Sequence, residues 1–191
     1  MVKRALQRLF YLAAFILLFG LTCSLLSSPR LEKLFYPFHY REEILAAAAE
    51  QQIDPLLIAA VIQAESGFRE DAVSAEGARG LMQLLPSTAR WIAERRGESD
   101  FHPDKLFDPR YNIAAGSWYL ADLLRQFHGS KVIALAAYNG GRGRVQRWLE
   151  EEIWDGSEAG LEQIPFSETR AFVRRVLDNY RRYRRLYGKM E

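Results

Sequence analysis

The stretch from Asp54 to Phe68 reads D-P-L-L-I-A-A-V-I-Q-A-E-S-G-F and has the features of one buried helix with marked ends. Asp54 is typical of a helix N-cap, and Pro55 fits the first helical position, where its missing N–H needs no partner. Gly67 fits the left-handed position just past a helix end. The apolar residues between these ends predict a helix in the core of the fold.

Glu65 is the one acid within this helix. At helical spacing Ile58, Ile62 and Glu65 share one face. Burial and the negative end of the helix dipole both raise the pKa of a carboxyl at this place. A carboxyl held protonated near neutral pH can act as a general acid. The alternative is that Glu65 pairs with an arginine or lies at the edge of the apolar face, as most helical glutamates do.

The composition indicates a folded domain and argues against a nucleic-acid-binding protein. Of the 191 residues, 49% are hydrophobic and 13% aromatic, which is typical of a globular chain. No acid precedes Glu32, so the chain from Pro29 onward carries a net charge of about −1, too little positive charge to bind nucleic acid. The three histidines are scattered and the single cysteine has no partner, so no metal, cofactor or internal disulfide is expected.

Residues 1–28 have the pattern of a membrane-targeting segment. Three basic residues among the first eight precede residues 9–26, which carry no charge. This positive flank predicts a cytoplasmic N-terminus with the remainder of the chain exported. The uncharged stretch is long for a signal peptide and Ser27-Ser28 is a poor cleavage site, so an uncleaved anchor is favoured over a cleaved signal.

The rest of the chain divides into a linker and one domain. Residues 29–41 read as a linker whose aromatic side chains either lie at the membrane interface or pack on the domain. Residues 42–188 predict a mainly α-helical single domain of seven or eight helices, with a small hairpin as an option between Arg69 and Gly80. Side chains that can cap helix starts recur along this domain: Ser87 or Thr88, Asp108, Ser130 and Ser167.

Four short motifs follow one another along the domain: Glu65-Ser66, Gly80-Leu81-Met82-Gln83, Ala137-Tyr138-Asn139-Gly140-Gly141 and Ile164-Pro165-Phe166-Ser167-Glu168-Thr169. In order and approximate spacing they resemble the catalytic domain of the soluble lytic transglycosylases, over roughly Ile44 to Tyr187. The resemblance implies a lysozyme-like fold, similar to goose-type lysozyme. It also implies cleavage of the β-1,4 bond between N-acetylmuramic acid and N-acetylglucosamine in peptidoglycan, with the sugar's own 6-hydroxyl closing a 1,6-anhydro end.

The resemblance also implies roles for particular residues. Glu65 corresponds to the family's single catalytic acid, which protonates the leaving oxygen and then, as carboxylate, takes the proton of the 6-hydroxyl. Most other glycosidases use two carboxylates, and the remaining acids near Glu65 lie in a polar loop. Contacts to the substrate fall, by the same resemblance, to Ser74, Gln83, Tyr138, Asn139 and Glu168.

Each of these residues has a plainer interpretation. Ser74 can cap its own loop, and Tyr138 can lie in the core with its hydroxyl bonded elsewhere. Gln83 lies in an apolar run, where its amide needs partners. Departures from the family pattern occur at Glu70-Asp71, Leu85 and Phe172, and they bear on substrate preference more than on the catalytic group.

Three functions remain open on the sequence. The first is a membrane-anchored lytic transglycosylase that acts on peptidoglycan strands at the extracytoplasmic face, as a monomer, or as a secreted enzyme if residues 1–28 are cleaved. The second is a lysozyme-type hydrolase, which differs only in giving a reducing end. The third is a non-catalytic wall-binding or assembly protein of the same fold.

Overall fold

The computed structural model describes residues 2–26 and 29–188, and the chain divides into two units between Pro37 and Phe38. In the first unit, helix α1 spans Val2–Leu26 and helix α2 spans Pro29–Phe35. The expected linker is therefore helical in its first half, because a proline can begin a helix.

The membrane anchor expected at residues 1–28 stays a prediction. Within residues 2–26 and 29–188, no helix is both long and apolar enough to cross a membrane. Ser27 and Ser28, at the weak cleavage site, lie outside the described residues.

The second unit is built of helices joined by short loops. These are α3 (Arg41–Gln51), α4 (Pro55–Glu65), α5 (Pro86–Arg95), α6 (Pro109–Gln126), α7 (Lys131–Gly140), α8 (Arg142–Glu150) and α9 (Ser167–Tyr187), with 3₁₀ turns at Pro103–Phe107 and Leu161–Gln163. Among the described residues there are two isolated β-bridges, Val73 with Arg79 and Arg79 with Leu84, and no strand. The prediction of a mainly helical domain is confirmed, and the optional hairpin is reduced to these bridges.

Helix α4 forms the core of the domain and packs along α9 and against α3. Every residue from Leu57 to Ile62 is buried. The predicted ends are confirmed: the Asp54 carboxylate accepts a hydrogen bond from the Leu56 N–H at 2.8 Å, and Gly67 has φ of +59°. α4 therefore runs from a capped start to Glu65, its last residue.

Two predicted helix caps are wrong. Helix α5 begins at Pro86 after Leu85, and α9 begins at Ser167 after Phe166, in both cases without a side-chain cap bond. Pro86 sets the helical φ one residue before Ser87, which places Ser87 and Thr88 inside the helix. Asp108 and Ser130 are confirmed as caps, since they accept bonds from the N–H groups three residues on at 2.8 and 3.4 Å.

Aromatic residues at the end of the expected linker pack on the domain. The rings of Phe38 and Tyr187 lie 5.4 Å apart between centroids, and the Tyr40 hydroxyl donates to Glu70 at 2.8 Å. For Phe38 and Tyr40, the structure therefore supports packing on the domain over a place at the membrane interface.

Candidate active site

One cleft of about 460 Å³ collects all six predicted site residues. It lies where the C-terminal end of α4, the C-terminal end of α7 and the first turn of α9 meet the loop that follows α4. The lining side chains that carry polar groups are Glu65, Ser74, Glu76, Gln83, Thr88, Tyr119, Tyr138, Asn139 and Glu168. Residues that are far apart in sequence thus form a single polar cleft beside the end of a buried helix.

The Glu65 carboxyl is half-buried in this cleft, and burial raises its pKa from 4.5 to about 8. Arg175 on α9 opposes that shift, and Glu168 on the same helix adds to it. Within the described residues Glu65 has no hydrogen bond or ion pair. The proposed pairing with an arginine is therefore limited to a longer-range attraction, and the carboxyl is protonated at neutral pH.

The second motif forms one wall of the cleft, and two buried side chains hold it in place. Ser66 donates its hydroxyl hydrogen to the Leu81 carbonyl at 2.8 Å. Asn112 accepts the Met82 N–H at 2.8 Å through its amide oxygen and donates from its amide nitrogen to the Leu106 carbonyl at 2.8 Å. Sequence reasoning missed both roles, although an asparagine directly before the apolar residues of α6 was a signal, since a buried amide needs partners.

Gln83 has its amide nitrogen engaged by the wall itself. The nitrogen donates to the Ala72 carbonyl at 3.0 Å and to the Gly80 carbonyl at 2.8 Å. Gln83 also has φ of +46°, an unusual value for a residue with a side chain. The need for amide partners is met within the loop, and the side-chain oxygen is the atom that can accept a bond from a ligand.

Ser74 caps its own loop, as in the plainer interpretation. Its hydroxyl donates to the Glu76 carboxylate at 3.0 Å and accepts from the N–H groups of Glu76 and Ala78, each at 3.2 Å. A serine hydroxyl has one hydrogen and two lone pairs, so all of its bonding capacity is used. Ser74 lines the cleft, but its hydroxyl is not free for a ligand in this arrangement.

Tyr138 and Asn139 stand at the end of α7. The Tyr138 hydroxyl donates to the Met82 carbonyl at 2.8 Å, and its ring stacks on Phe172 at 6.3 Å between centroids. Burial raises the pKa of Tyr138 well above its ordinary value, and Glu65 adds to this. Asn139 accepts the Thr169 hydroxyl at 2.8 Å, which leaves its amide nitrogen to donate.

Three side chains on one face of helix α9 lie in or beside the cleft. Glu168, Phe172 and Arg175 are spaced four and three residues apart, so they share one face of the helix. Arg175 is exposed and sits 6.0 Å from the Phe172 ring centroid. Sequence reasoning assigned Glu168 to the site but not Arg175 or Glu76. Among the described residues no group of His, Cys, Asp or Glu could hold a metal ion.

Removing the charge of Arg175 or of Glu168 on α9 should shift the pH dependence of kcat/KM in opposite directions. For a reaction that uses the Glu65 carboxyl as general acid, we expect kcat/KM to fall above about pH 8, as Glu65 loses its proton. Arg175→Gln removes a cation that lowers the Glu65 pKa, so the fall moves to higher pH. Glu168→Gln removes an anion that raises the Glu65 pKa, so the fall moves to lower pH. Rate measurements from pH 5 to 10 check both directions, and shifts of the same sign would contradict the electrostatic account.

The chain matches one protein family over most of its length: the family described as the transglycosylase SLT domain matches residues 42–179. The soluble lytic murein transglycosylase of Salmonella typhimurium is 34% identical over 164 residues, which cover 82% of this chain and 24% of that protein. The membrane-bound lytic murein transglycosylase C of Serratia proteamaculans is 32% identical over 168 residues, with 76% of this chain and 47% of that protein covered. The chain spans about a quarter of the length of the soluble relatives.

Solved structures agree with these matches. The 70 kDa soluble lytic transglycosylase of Escherichia coli superimposes with a TM-score of 0.75 at 33% identity, over 80% of this chain and 25% of that one. An inactive Glu-to-Gln variant of the lytic transglycosylase Slt from Pseudomonas aeruginosa gives a TM-score of 0.72 at 34% identity, over 81% and 25% of the two chains. A complex of the 70 kDa enzyme with bulgecin A gives 0.74. The expected lysozyme-like helical fold of this family is confirmed.

Proposed function

Because this chain belongs to the transglycosylase SLT family, we propose that it is a lytic transglycosylase of peptidoglycan. It cleaves the β-1,4 bond between N-acetylmuramic acid and N-acetylglucosamine and leaves a 1,6-anhydro end. The observation that carries the proposal is the Glu65 carboxyl, which lies in a sugar-sized cleft with its pKa raised to about 8. A carboxyl in that state is protonated at neutral pH and close enough to its pKa to give the proton up.

In the first step the Glu65 carboxyl donates its proton to the oxygen that links the two sugars. The bond from C1 of the muramic acid to that oxygen breaks with both electrons leaving on the oxygen, and the sugar ring becomes electron-poor at C1. Glu65 is now a carboxylate, and Arg175 is the nearby cation whose attraction favours this form.

In the second step the Glu65 carboxylate takes the proton of the muramic acid 6-hydroxyl while the 6-oxygen bonds to C1. This returns Glu65 to its protonated state, and no water is consumed. Glu168 is exposed on the first turn of α9 and raises the pKa of Glu65, which favours this return. Glu168 therefore acts through its negative charge on the pKa of Glu65 and needs no proton transfer of its own.

Of the remaining predicted residues, Asn139 and Gln83 are proposed to hold the glycan, whereas Tyr138 and Ser74 support the wall of the cleft. Asn139 offers its amide nitrogen and Gln83 its amide oxygen to sugar hydroxyls and acetamido groups. Tyr138 positions the wall through Met82, and its hydroxyl does not need to touch the sugar. Ser74 holds the shape of its loop.

Mass spectrometry of peptidoglycan digested with the purified protein tests the reaction. We expect soluble muropeptides that are one water lighter than the products of hydrolysis. Products with reducing ends would show a lysozyme-type hydrolase. Binding to the wall without any product would favour a non-catalytic wall-binding or assembly protein.

The place of action follows as a further part of the proposal. We propose that the protein works in the cell envelope as a monomer, held at the extracytoplasmic face of the membrane by residues 1–28. The support is the uncharged run of residues 9–26 after a basic flank. Alkaline extraction of membranes from producing cells tests it, since release of the full-length chain into the soluble fraction would contradict an anchor.

A further inference from the structure

Glu76 has no part in the steps above, although its side chain lines the cleft. The residue is exposed, so its carboxylate is reachable by a ligand. Glu168 is the other exposed acid on the wall, and none of the described residues lining the cleft is a lysine or an arginine. The cleft therefore presents carboxylate groups to its ligand with no lining cation to neutralise them.

Glu76 lies two residues after Ser74, the serine to which the resemblance assigns a contact with the substrate. Ser74 gives its one hydroxyl hydrogen to Glu76 and accepts two backbone N–H groups, at 3.0 to 3.2 Å. It has no further capacity to bind a ligand. The Glu76 carboxylate uses only part of its own capacity in accepting that hydrogen. Glu76 therefore has lone pairs left on its exposed carboxylate to accept a hydrogen bond from an amino sugar.

We propose that Glu76 is a specificity-determining residue of the cleft, which accepts a hydrogen bond from the nitrogen of an amino sugar and favours the free ammonium of an N-deacetylated sugar over an acetamido group. The proposal rests on the function proposed above for its class of substrate. A hydrogen bond between an ammonium and a carboxylate is about twice as strong as one from a neutral amide. Because Glu76 is exposed, salt and water limit the preference.

Binding of two tetrasaccharides to the full-length Glu65→Gln protein tests the preference, because this background prevents cleavage of the ligand. The probes are tetra-N-acetylchitotetraose and its fully deacetylated counterpart, measured by calorimetry at mildly acidic pH, where amines are charged. We expect Glu76→Gln to weaken binding of the deacetylated probe about fivefold and to change binding of the acetylated probe less than about twofold. Added salt should weaken binding of the deacetylated probe and leave binding of the acetylated probe unchanged.

Asp71→Asn is the matched control, since it removes one negative charge from the same loop at a residue outside the cleft lining. It should leave both affinities unchanged. Equal weakening of both probes by Glu76→Gln would overturn the proposal, because it would show only a disturbed loop at Ser74. No effect on either probe would overturn it as well. Failure of the proposed reaction would appear in the products of the wild-type protein, which this binding experiment does not use.

Discussion

The Glu65→Gln variant should cleave peptidoglycan at least about a thousandfold more slowly than the wild-type protein. Glutamine matches the size of glutamate but cannot donate a proton to the leaving oxygen, and it cannot take one from the 6-hydroxyl. The cleft offers no buried replacement, because Glu76 and Glu168, the other acids that line it, are both exposed. Release of soluble muropeptides per unit time at pH 7 is the measurement.

Measurements of the free energy of unfolding show whether the Glu65→Gln variant loses activity because catalysis is lost or because the protein is unfolded. The native pKa of Glu65, about 8, lies above its ordinary value of 4.5, so the native state holds a proton that the unfolded chain releases between these two pH values. The free energy of unfolding therefore falls as pH rises through this range. Above pH 8 the whole of this loss of stability remains. Since Gln does not ionise, the variant should be more stable than wild type at pH 9, by on the order of 3 kcal/mol with allowance for partial exposure to the cleft. The difference should vanish at pH 4.

If the Glu65→Gln variant folds and keeps more than about a tenth of the wild-type rate of cleavage, Glu65 is not the catalytic acid. Asp71→Asn makes the same change from acid to amide at a residue outside the cleft lining, so it should keep full activity and serves as the control.

Gly80→Ala should be the most destabilising single methyl addition in the cleft wall, with a loss of at least about 4 kcal/mol in the free energy of unfolding. An added Cβ would lie 2.1 Å from the Leu106 carbonyl oxygen and 2.3 Å from the Asn112 amide nitrogen. Both neighbours are parts of the network that holds the second motif, so relief of the clash must break hydrogen bonds. Gly80 also has φ of +74°, which alanine adopts only with strain.

Gly77→Ala is the matched control for the cost of placing an alanine at a positive φ. Gly77 has φ of +80°, but an added Cβ would meet no atom within 4 Å. This variant should lose only about 1 kcal/mol, and the difference between the two variants isolates the steric contact. Urea denaturation followed by circular dichroism gives both values. Equal losses at the two positions would show that the wall yields to the methyl group, contrary to the account of a fixed network.

Local sequence signals predicted the features that depend on local geometry. The ends of α4 followed from Asp54, Pro55 and Gly67, because caps and left-handed glycines act within a few residues. The protonated state of Glu65 followed from its place at the end of an apolar helix. The motifs then brought Tyr138 and Asn139 to the same cleft as Glu65.

The features that sequence reasoning missed depend on contacts between distant segments. Asn112 bonds to Met82, which lies 30 residues away, and nothing near Asn112 in the chain indicates which carbonyls and N–H groups it will meet. For Ser74 the sequence left a substrate contact and a loop cap open, and the choice depends on the turn formed with Ala78, which takes its hydroxyl in this structure. The predicted cap at Ser167 is wrong because the helix starts one residue earlier than a capping serine at that position requires.

Asn112 and Ser66 have a mechanical consequence for catalysis. They tie the backbone of the second motif to α6 and to the end of α4, through side chains that are fully or almost fully buried. The wall beside Glu65 is thus preorganised before any glycan arrives, and the freedom of that loop is lost in folding and not again in binding. In the proposed reaction, a rigid template of this kind leaves the polysaccharide as the flexible partner, so we expect the conformational change that brings C1 and the 6-hydroxyl together to take place in the sugar.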